Sequence, residues 1–456
     1  MLNDTIVAIS SAIGEGAIGI IRMSGEDSLS ILKKIFKPSG DVSSFKNRQM
    51  YYGLIEKNDS VLDEVMAVYM GAPKTYTKED IVEIYCHGGI ISIKRVLDCI
   101  LEEGARMAEP GEFTQRAFLN GRLDLSQAEA VMDLISAKTE KGFDLAYNQL
   151  EGSLSYKIDT IRNKLLKVIA HLEVCIDYPE EDIEELTYDE IKKSFSEVRD
   201  ELSILLKHAD NGRIIREGIK IAIIGKPNVG KSSLLNALLK EARAIVTDIA
   251  GTTRDIIEEH LNIQGIPIRI IDTAGIRKTE DQIEQIGVER SKEIFNEADM
   301  ILFVLNASEV LSEEDKELIK LVSNKKSIIV MNKIDLESKI EWQHIESTFE
   351  DRSIIKTSLL NEDGILNVEQ AIVDMVYDGD LTSSNNQLLS NSRHIQAVKE
   401  ALKSIEGALE ATANSMPYDF IEVDTMDCLE SLGKVTGETV EGDIVKQIFG
   451  QFCLGK

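Results

Sequence analysis

The chain has 456 residues, 43% of them hydrophobic, enough for two to four domains with buried cores. With 51 Lys and Arg against 79 Asp and Glu the net charge is −28, which argues against gripping nucleic acid mainly by phosphate neutralisation, because that needs a basic surface. There is no run of about 18 apolar residues, no cationic-then-apolar leader and no CxxC among five cysteines, so a membrane span, a secretory signal, a disulfide framework and a zinc cluster are not expected; a reducing cytoplasm is.

Residues 1–120 mix short β-like runs (Thr5 to Ile9, Ile18 to Met23, Val65 to Tyr69, Ile81 to Tyr85) with helical stretches such as Ile91 to Glu103, punctuated by glycine and proline turns. This predicts an α/β or α+β module. From 121 to 215 the pattern becomes helical. Ser126 and Glu129 have capping-box spacing, and Leu125, Ala128, Met132 and Ile135 recur on one helix face. The acidic run Glu180 to Glu185 reads as a solvated junction.

Residues 216–380 alternate apolar strands (Ile219 to Ile224, Ile266 to Ile271, Met300 to Leu305, Ser327 to Met331, Ser353 to Lys356) with helices, which predicts a doubly wound, largely parallel sheet. A polar stretch, Thr382 to Gln387, links it to a second helical segment, and residues 381–456 with 121–215 are expected to form one discontinuous all-α domain. The fold class is therefore multidomain α/β, with a P-loop domain inserted in a helical one.

The sharpest chemical signal follows the strand Ile219 to Ile224. In Gly225-Lys-Pro-Asn228-Val229-Gly230-Lys231-Ser232-Ser233, loop amides are expected to point at phosphate oxygens, Lys231 to reach the β- and γ-phosphates, and Ser232 to ligate Mg²⁺. In Gly251-Thr252-Thr253, Thr253 is suited to closing over the γ-phosphate as a second Mg²⁺ ligand. Asp272-Thr273-Ala274-Gly275 ends the next strand, with Asp272 toward the metal and the Gly275 amide toward the γ-phosphate. Asn332-Lys333-Ile-Asp335 ends another. The Asp335 carboxylate can accept from guanine N1–H and the 2-amino group, donors that adenine does not offer together. Ser358 and Leu359 follow the last strand, where backbone can meet the guanine carbonyl. Four such elements in order point to a guanine-nucleotide hydrolase.

After Gly275 stands Ile276, which cannot orient water as a glutamine can, so a substitute is required. A monovalent cation beside the phosphates is one answer, with Asn228 as a side-chain ligand and carbonyls between Ala244 and Gly251 around it; Asn228 shaping the loop is the other.

Beyond these motifs, Asp4 to Ala8, Gly19 to Gly25, His87 to Gly89, Pro110 to Glu129 and the terminal Cys453-Leu-Gly-Lys456 resemble the MnmE (TrmE) family of tRNA-uridine modification GTPases over essentially the whole chain. The resemblance implies a K⁺-stimulated, homodimeric GTPase whose G domains meet across their nucleotide faces. It implies Asn228, Thr247, Ile249 and Thr252 at K⁺, Ser232 and Thr253 at Mg²⁺, Glu284 orienting the attacking water, and Arg277 as a switch residue. The N-terminal module is similar to folate-dependent aminomethyl transferases, which implies dimerisation through it and a tetrahydrofolate derivative at Arg22, Glu83 and Arg122, with Lys456 nearby. A flavoprotein partner, MnmG (GidA), is implied to bring FAD, to form a heterotetramer, and with this chain to install a (carboxymethyl)aminomethyl group at C5 of the tRNA wobble uridine.

Cys453 stays open between a nucleophile at the uracil ring and a tail that docks against the folate site, and His87 reads as structural. The competing function, a ribosome-assembly or signalling switch without covalent chemistry, shares the Gly251-Thr-Thr element. It lacks the Pro110 to Glu129 block and the cysteine tail.

Overall fold

The structure, a computed structural model, describes residues 4–12, 14–178, 187–241, 243–244, 259–271, 295, 297–323, 325–350, 352–377, 389–440, 442–453 and 455. Two compact units emerge. The first comprises Met1–Met132, Gln149–Tyr188 and Glu410–Lys456; the second comprises Asp133–Asn148 and Asp189–Leu409. The stretch expected to be helical, 121–215, is thus shared between both units.

In the first unit, β1 (Ile6–Ile9), β2 (Ile18–Ser24), β3 (Phe36–Pro38), β4 (Met50–Lys57), β5 (Ser60–Met70), β6 (Ile81–His87) and β7 (Arg106–Met107) form one sheet in the order β3-β4-β5-β6-β2-β1-β7. Every neighbour is antiparallel except β1 and β7. Helices α1 (Ser28–Ile35) and α2 (Ile90–Glu102) pack their apolar faces on it, burying Ile31, Leu32, Ile93, Val96 and Ile100 against Val7, Ile21, Ile55, Val82 and Ile84. Strand β4 was not anticipated. Its Tyr51, Gly53 and Ile55 alternate inward, but Gly53 and Lys57 blur the pattern, and a bulge interrupts the register at Ile55 and Glu56.

Helix α3 (Glu112–Leu119) carries the charged centre of this unit. Arg116, 1% exposed, donates to Asp4 Oδ1 (2.7 Å), Glu112 Oε1 (3.0 Å) and Glu79 Oε2 (3.2 Å), while Arg106 pairs with Asp4 and Glu112. One buried guanidinium thereby ties the N-terminal strand to α3 and to the loop before β6.

Helix α4 (Leu125–Ser136) starts on a different cap from the one its sequence suggested. The reciprocal pair is Asp124 and Gln127: the Gln127 amide donates to Asp124 Oδ1 (2.9 Å) and the Asp124 amide to Gln127 Oε1 (3.1 Å). Asp beats Ser as the cap because Ser126 already lies inside the first turn, where its hydroxyl donates to Asp124. Helix α5 (Glu140–Leu150) follows. The long α6 (Ser153–Asp177) packs along the helix Tyr418–Thr436, with Arg162 donating to the Leu429 carbonyl.

The chain's end folds back on this unit. Phe449 and Phe452 pack beside Phe118, Leu125 and Ala128, and Gly111 is required where they land. Its φ is +70°, and a Cβ there would lie 2.5 Å from the Phe449 carbonyl oxygen.

The second unit contains α7 (Tyr188–Lys207, from Asp189 on) and α8 (Ala209–Glu217), then strands β8 (Ile219–Ile224), β9 (Arg243–Ala244), β10 (Glu259–Ile263), β11 (Ile266–Ile271), β12 (Met300–Asn306), β13 (Ser327–Asn332) and β14 (Ile354–Lys356). Their order is β14-β13-β12-β8-β11-β10-β9. The five from β14 to β11 run parallel, and β10 and β9 extend the sheet antiparallel. β12 is buried at every residue, as a central strand covered on both faces must be. Helices α9 (Lys231–Glu241), α10 (Glu313–Val322), α11 (Trp342–Thr348) and α12 (Ile365–Tyr377) flank the sheet, and α13 (Ser392–Ala413), α14 (Tyr418–Thr436) and α15 (Gly442–Phe449) complete the chain. No described helix is long and apolar enough to cross a membrane.

Burial pushes the Glu112 carboxyl up, but hydrogen bonds from Arg106, the Glu109 amide and Arg116 outweigh it and hold its pKa below the ordinary 4.5. A carboxyl lowered on folding stabilises above its unfolded value and loses that contribution as pH falls through the folded one. The thermal midpoint of the wild type should therefore drop with acidification below about pH 4.5, more steeply than that of Glu112→Gln. Arg116→Met should cost about 3–5 kcal/mol in urea unfolding, because it takes the buried Glu112 and the half-buried Glu79 away from the cation that compensates them.

Candidate functional site

The loop between β8 and α9 in the second unit is shaped by three residues with positive φ: Gly225 (+157°), Asn228 (+62°) and Gly230 (+109°). A Cβ on Gly225 would meet the Val304 carbonyl oxygen at 2.4 Å, and one on Gly230 would meet Asn332 Nδ2 at 2.3 Å. Only glycine lets the loop sit this close to its neighbours. The first turn of α9 then presents its backbone amides, the anion-binding end of a helix. Lys231 Nζ arcs back over the loop and donates to the carbonyls of Gly225 and Lys226, both at 2.8 Å. Burial lowers its pKa, opposed by Glu314. Asn228 and the Ser232 and Ser233 side chains are exposed, while Val229 is buried as the loop's anchor.

Behind the loop lies the end of β13. Asn332 is 3% exposed and its carboxamide joins three segments. Nδ2 donates to the Val229 carbonyl (2.8 Å), and Oδ1 accepts from the Leu359 amide (3.2 Å) and the Thr357 hydroxyl (3.4 Å). Lys333 takes φ +63° and turns the chain, leaving Asp335 exposed. Ser358 Oγ, buried, donates to Asp335 Oδ1 at 2.6 Å and so fixes the carboxylate. Ser358 is held in turn by paired backbone bonds with Asp363. The sequence motifs thus converge: Gly225 to Ser233, Asn332, Lys333, Asp335, Ser358 and Leu359 line one end of the parallel sheet, outside the carboxyl ends of β8, β13 and β14.

A further clamp was not visible in the sequence. Lys226 pairs with Glu309 (2.9 Å) and with Asp315 (3.1 Å), which also caps α10 through Ser312. Its pairing with these carboxylates raises the Lys226 pKa against the effect of burial. Nothing in residue spacing joins position 226 to 309 and 315; the β8–β12 pairing does.

Thr247, Ile249, Thr252, Thr253, Asp272, Thr273, Ala274, Gly275, Arg277, Glu284 and Lys456 lie outside the described residues. So do the acidic run and the 382–387 linker.

In the first unit, Arg22 and Glu83 face each other across β2 and β6. Arg22 Nε donates to Glu83 Oε1 at 2.8 Å, and the Tyr85 hydroxyl donates to Glu83 Oε2 at 2.7 Å. Burial and Glu83 push the Tyr85 phenol up to about 12. Both Arg22 (5.9 Å) and Arg122 (4.7 Å) lie over the Tyr76 ring, an aromatic that the sequence did not single out, and Glu83 joins them through its pairing with Arg22. Cys453 is exposed, and its carbonyl accepts from the Gly111 amide (3.4 Å). Gly455, held through Ser10 Oγ, seats the tail beside β1. His87 is an exposed ring paired through Nδ1 with Asp63 at 2.6 Å, and Asp63 also accepts from the His87 amide and Ser92. That carboxylate joins the end of β6 to the first turn of α2. Cys86 and Cys428 are buried thiols, pushed up to about 11 and about 12 by desolvation.

The family model "GTP-binding protein TrmE N-terminus" matches residues 5–122, and "MnmE helical domain" matches residues 125–453. The tRNA modification GTPase MnmE of Alkaliphilus oremlandii is 54% identical over all of both chains. That of Clostridioides difficile is 51% identical over all of both, and that of Bacillus subtilis is 50% identical over 99% of this chain and 100% of its own. Among solved structures, the G domain of the T. maritima FeoB iron transporter is 25% identical, covering 34% of this chain and 98% of its own with a TM-score of 0.26, a likeness too slight to carry weight. On the full-length match to these relatives and on both family models, the chain belongs to the MnmE family.

Proposed function

We propose that this chain hydrolyses GTP and takes part in tRNA modification. The observation that carries the reading is the Asn332 carboxamide, which ties the phosphate loop at Val229 to the segment that holds Asp335 through Ser358. Phosphate grip and base discrimination are therefore one rigid assembly rather than two loops.

The described residues fit the nucleotide. The two glycine positions allow close backbone approach, the α9 amides supply donors, and Lys231 is the cation that leaves its carbonyl partners for phosphate oxygens. Ser232, exposed at the start of α9, would hold Mg²⁺ together with Thr253. Asn228 would hold K⁺ with Thr247, Ile249 and Thr252. These cations supply positive charge where negative charge builds during phosphoryl transfer. Glu284 orients the attacking water and Arg277 acts beside it. G domains of two copies meet over the nucleotides, and the resulting motion drives the modification cycle.

In the first unit, Arg22, Glu83 and Arg122, with Lys456, hold a tetrahydrofolate derivative. Glu83 is suited to accept pterin N–H donors because Arg22 and Tyr85 keep it oriented. The docking of Gly455 beside β1 favours the tail as a wall of that site; Cys453, exposed there, is available to the uracil ring. The product is a (carboxymethyl)aminomethyl group at C5 of the wobble uridine, made in the cytoplasm with the flavoprotein MnmG and its FAD. The acidic charge of this chain suits a basic partner.

Mass analysis of tRNA nucleosides from cells lacking this protein should show loss of C5 aminomethyl-type wobble uridines; an unchanged profile rules the tRNA reading out. Asp335→Asn should weaken GTP by about 1.5–3 kcal/mol, roughly ten- to a hundredfold in Kd, and admit xanthosine triphosphate. Unaltered base preference would remove Asp335 from recognition. Replacing K⁺ with Na⁺ should slow turnover about tenfold or more, a barrier change of about 1.4 kcal/mol. Equal rates in both salts dispose of the K⁺ site.

A further inference from the structure

The chain carries a large negative charge, yet in one open cleft of its first unit every charged lining residue is a cation. About 420 Å³ in volume, it is bordered by Arg48, Lys74, Lys78 and Arg122, with Tyr76 and Pro73 between them, and no carboxylate lines it among the described residues. All four cations are exposed. Among the described residues none of the four makes an ion pair; their polar contacts are to backbone carbonyls. Lys78 Nζ donates to the Gly121 carbonyl at 2.9 Å, Arg122 Nη1 to the Tyr76 carbonyl at 3.2 Å, and Arg48 to the Lys74 carbonyl. In a protein with such an excess of carboxylates, four neighbouring cations left without one mark a place kept for an external polyanion.

We infer that this cleft binds an unpaired stretch of the substrate RNA, taking its phosphates on Arg48, Lys74 and Lys78. The inference rests on the tRNA reading above and names which surface of this chain touches the RNA. Three features favour RNA over a small anion. The cations are spread around an open cleft rather than focused on one buried point, which suits a chain of phosphates. The Arg122 guanidinium lies 4.7 Å from the Tyr76 centroid, offering a partly exposed aromatic–guanidinium surface of the kind on which splayed-out bases stack. The rim is also pinned in place: the Gly71 amide donates to Asn47 Oδ1 (3.0 Å), the Ala72 amide to Asp80 Oδ1 (2.9 Å), and Thr75 Oγ1 to the Glu79 carbonyl (2.6 Å). A rigid rim spares the ordering entropy of binding.

Tyr76 is also the ring that Arg22 approaches. Tyr76 therefore links the Arg22–Glu83 pair to the basic rim, and a base seated on Arg122 would lie near the tetrahydrofolate derivative proposed there.

The test is a salt series of RNA binding by the full chain, read by fluorescence anisotropy with an anticodon stem–loop and with whole tRNA. Wild type should bind with an affinity that falls steeply with salt. The double variant Lys74→Glu, Lys78→Glu should weaken binding at least about tenfold and flatten the log–log salt slope by about 2, one unit for each phosphate no longer neutralised. Arg48→Gln with Lys74→Gln, which removes charge without reversing it, should lower the slope similarly, and an unaltered thermal midpoint shows that either variant is folded. Wild-type affinity and slope in both variants overturn the inference, as does a wild-type chain with no salt-dependent RNA affinity. Loss of binding to an oligo-γ-glutamate peptide, with RNA binding intact, overturns it in favour of a small polyanion. The nucleoside analysis is independent: it fails or succeeds on the tRNA reading whichever surface carries the RNA.

Discussion

One buried carboxamide organises the nucleotide end of the second unit. Asn332 has three hydrogen-bonding partners on two other segments: the Val229 carbonyl, the Leu359 amide and the hydroxyl of the buried Thr357. Removing the side chain would strand the Val229 carbonyl and the Leu359 amide together, so its cost exceeds that of a single hydrogen bond. Geometry enforces the same arrangement, since Gly230 leaves room for Asn332 Nδ2 only by lacking a Cβ. The Asp335–Ser358 pair and the Lys226 clamp to Glu309 and Asp315 then inherit a fixed frame.

In the first unit a guanidinium plays the comparable part. Arg116 has three carboxylate partners, from the N-terminal strand's approach, from its own helix and from the loop before β6. A buried ion network of this kind adds less net stability than its contacts suggest, because each charge was desolvated to form it. It does specify geometry. Asp4 and Glu79 cannot drift without uncovering a buried charge, and the Tyr76 to Glu79 loop is thereby held beside α3, with Tyr76 bonded to Thr114. Tyr76, which Arg22 and Arg122 approach, and Lys78 of the basic cleft both belong to that loop. The docked tail adds a second constraint on the same helix, through Phe449, Phe452 and Gly111.

Charge is distributed unevenly, and the unevenness is informative. A net charge of −28 disfavours broad contact with nucleic acid, while the Arg48, Lys74, Lys78 and Arg122 cleft is a local exception. Local clusters dominate binding because screening confines the field of distant charges to about 8–10 Å at physiological salt. The proposed RNA contact therefore falls where the local charge is positive, against the acidic balance of the chain as a whole.

Much of the architecture was legible in one dimension. The strand–loop–helix at 219–241, the continuous apolar run of β12, and the glycine spacing of the phosphate loop each follow from local rules of periodicity, burial on both faces and positive φ. So did the residues Asn332, Asp335, Ser358 and Leu359, because motifs at strand ends of a parallel sheet must share an edge. What local rules did not reach was pairing between distant positions: Lys226 with Glu309 and Asp315, Tyr76 beneath Arg122, Asp124 outcompeting Ser126 as a cap, and the gathering of residues 48, 74, 78 and 122 around one cleft. Sequence alone determined which backbone shapes and which strands would form, since those depend on neighbours a few residues apart. Only the tertiary structure decided which charges would meet a partner and which would be left facing solvent, because that depends on how the sheet brings remote segments within a hydrogen bond's reach.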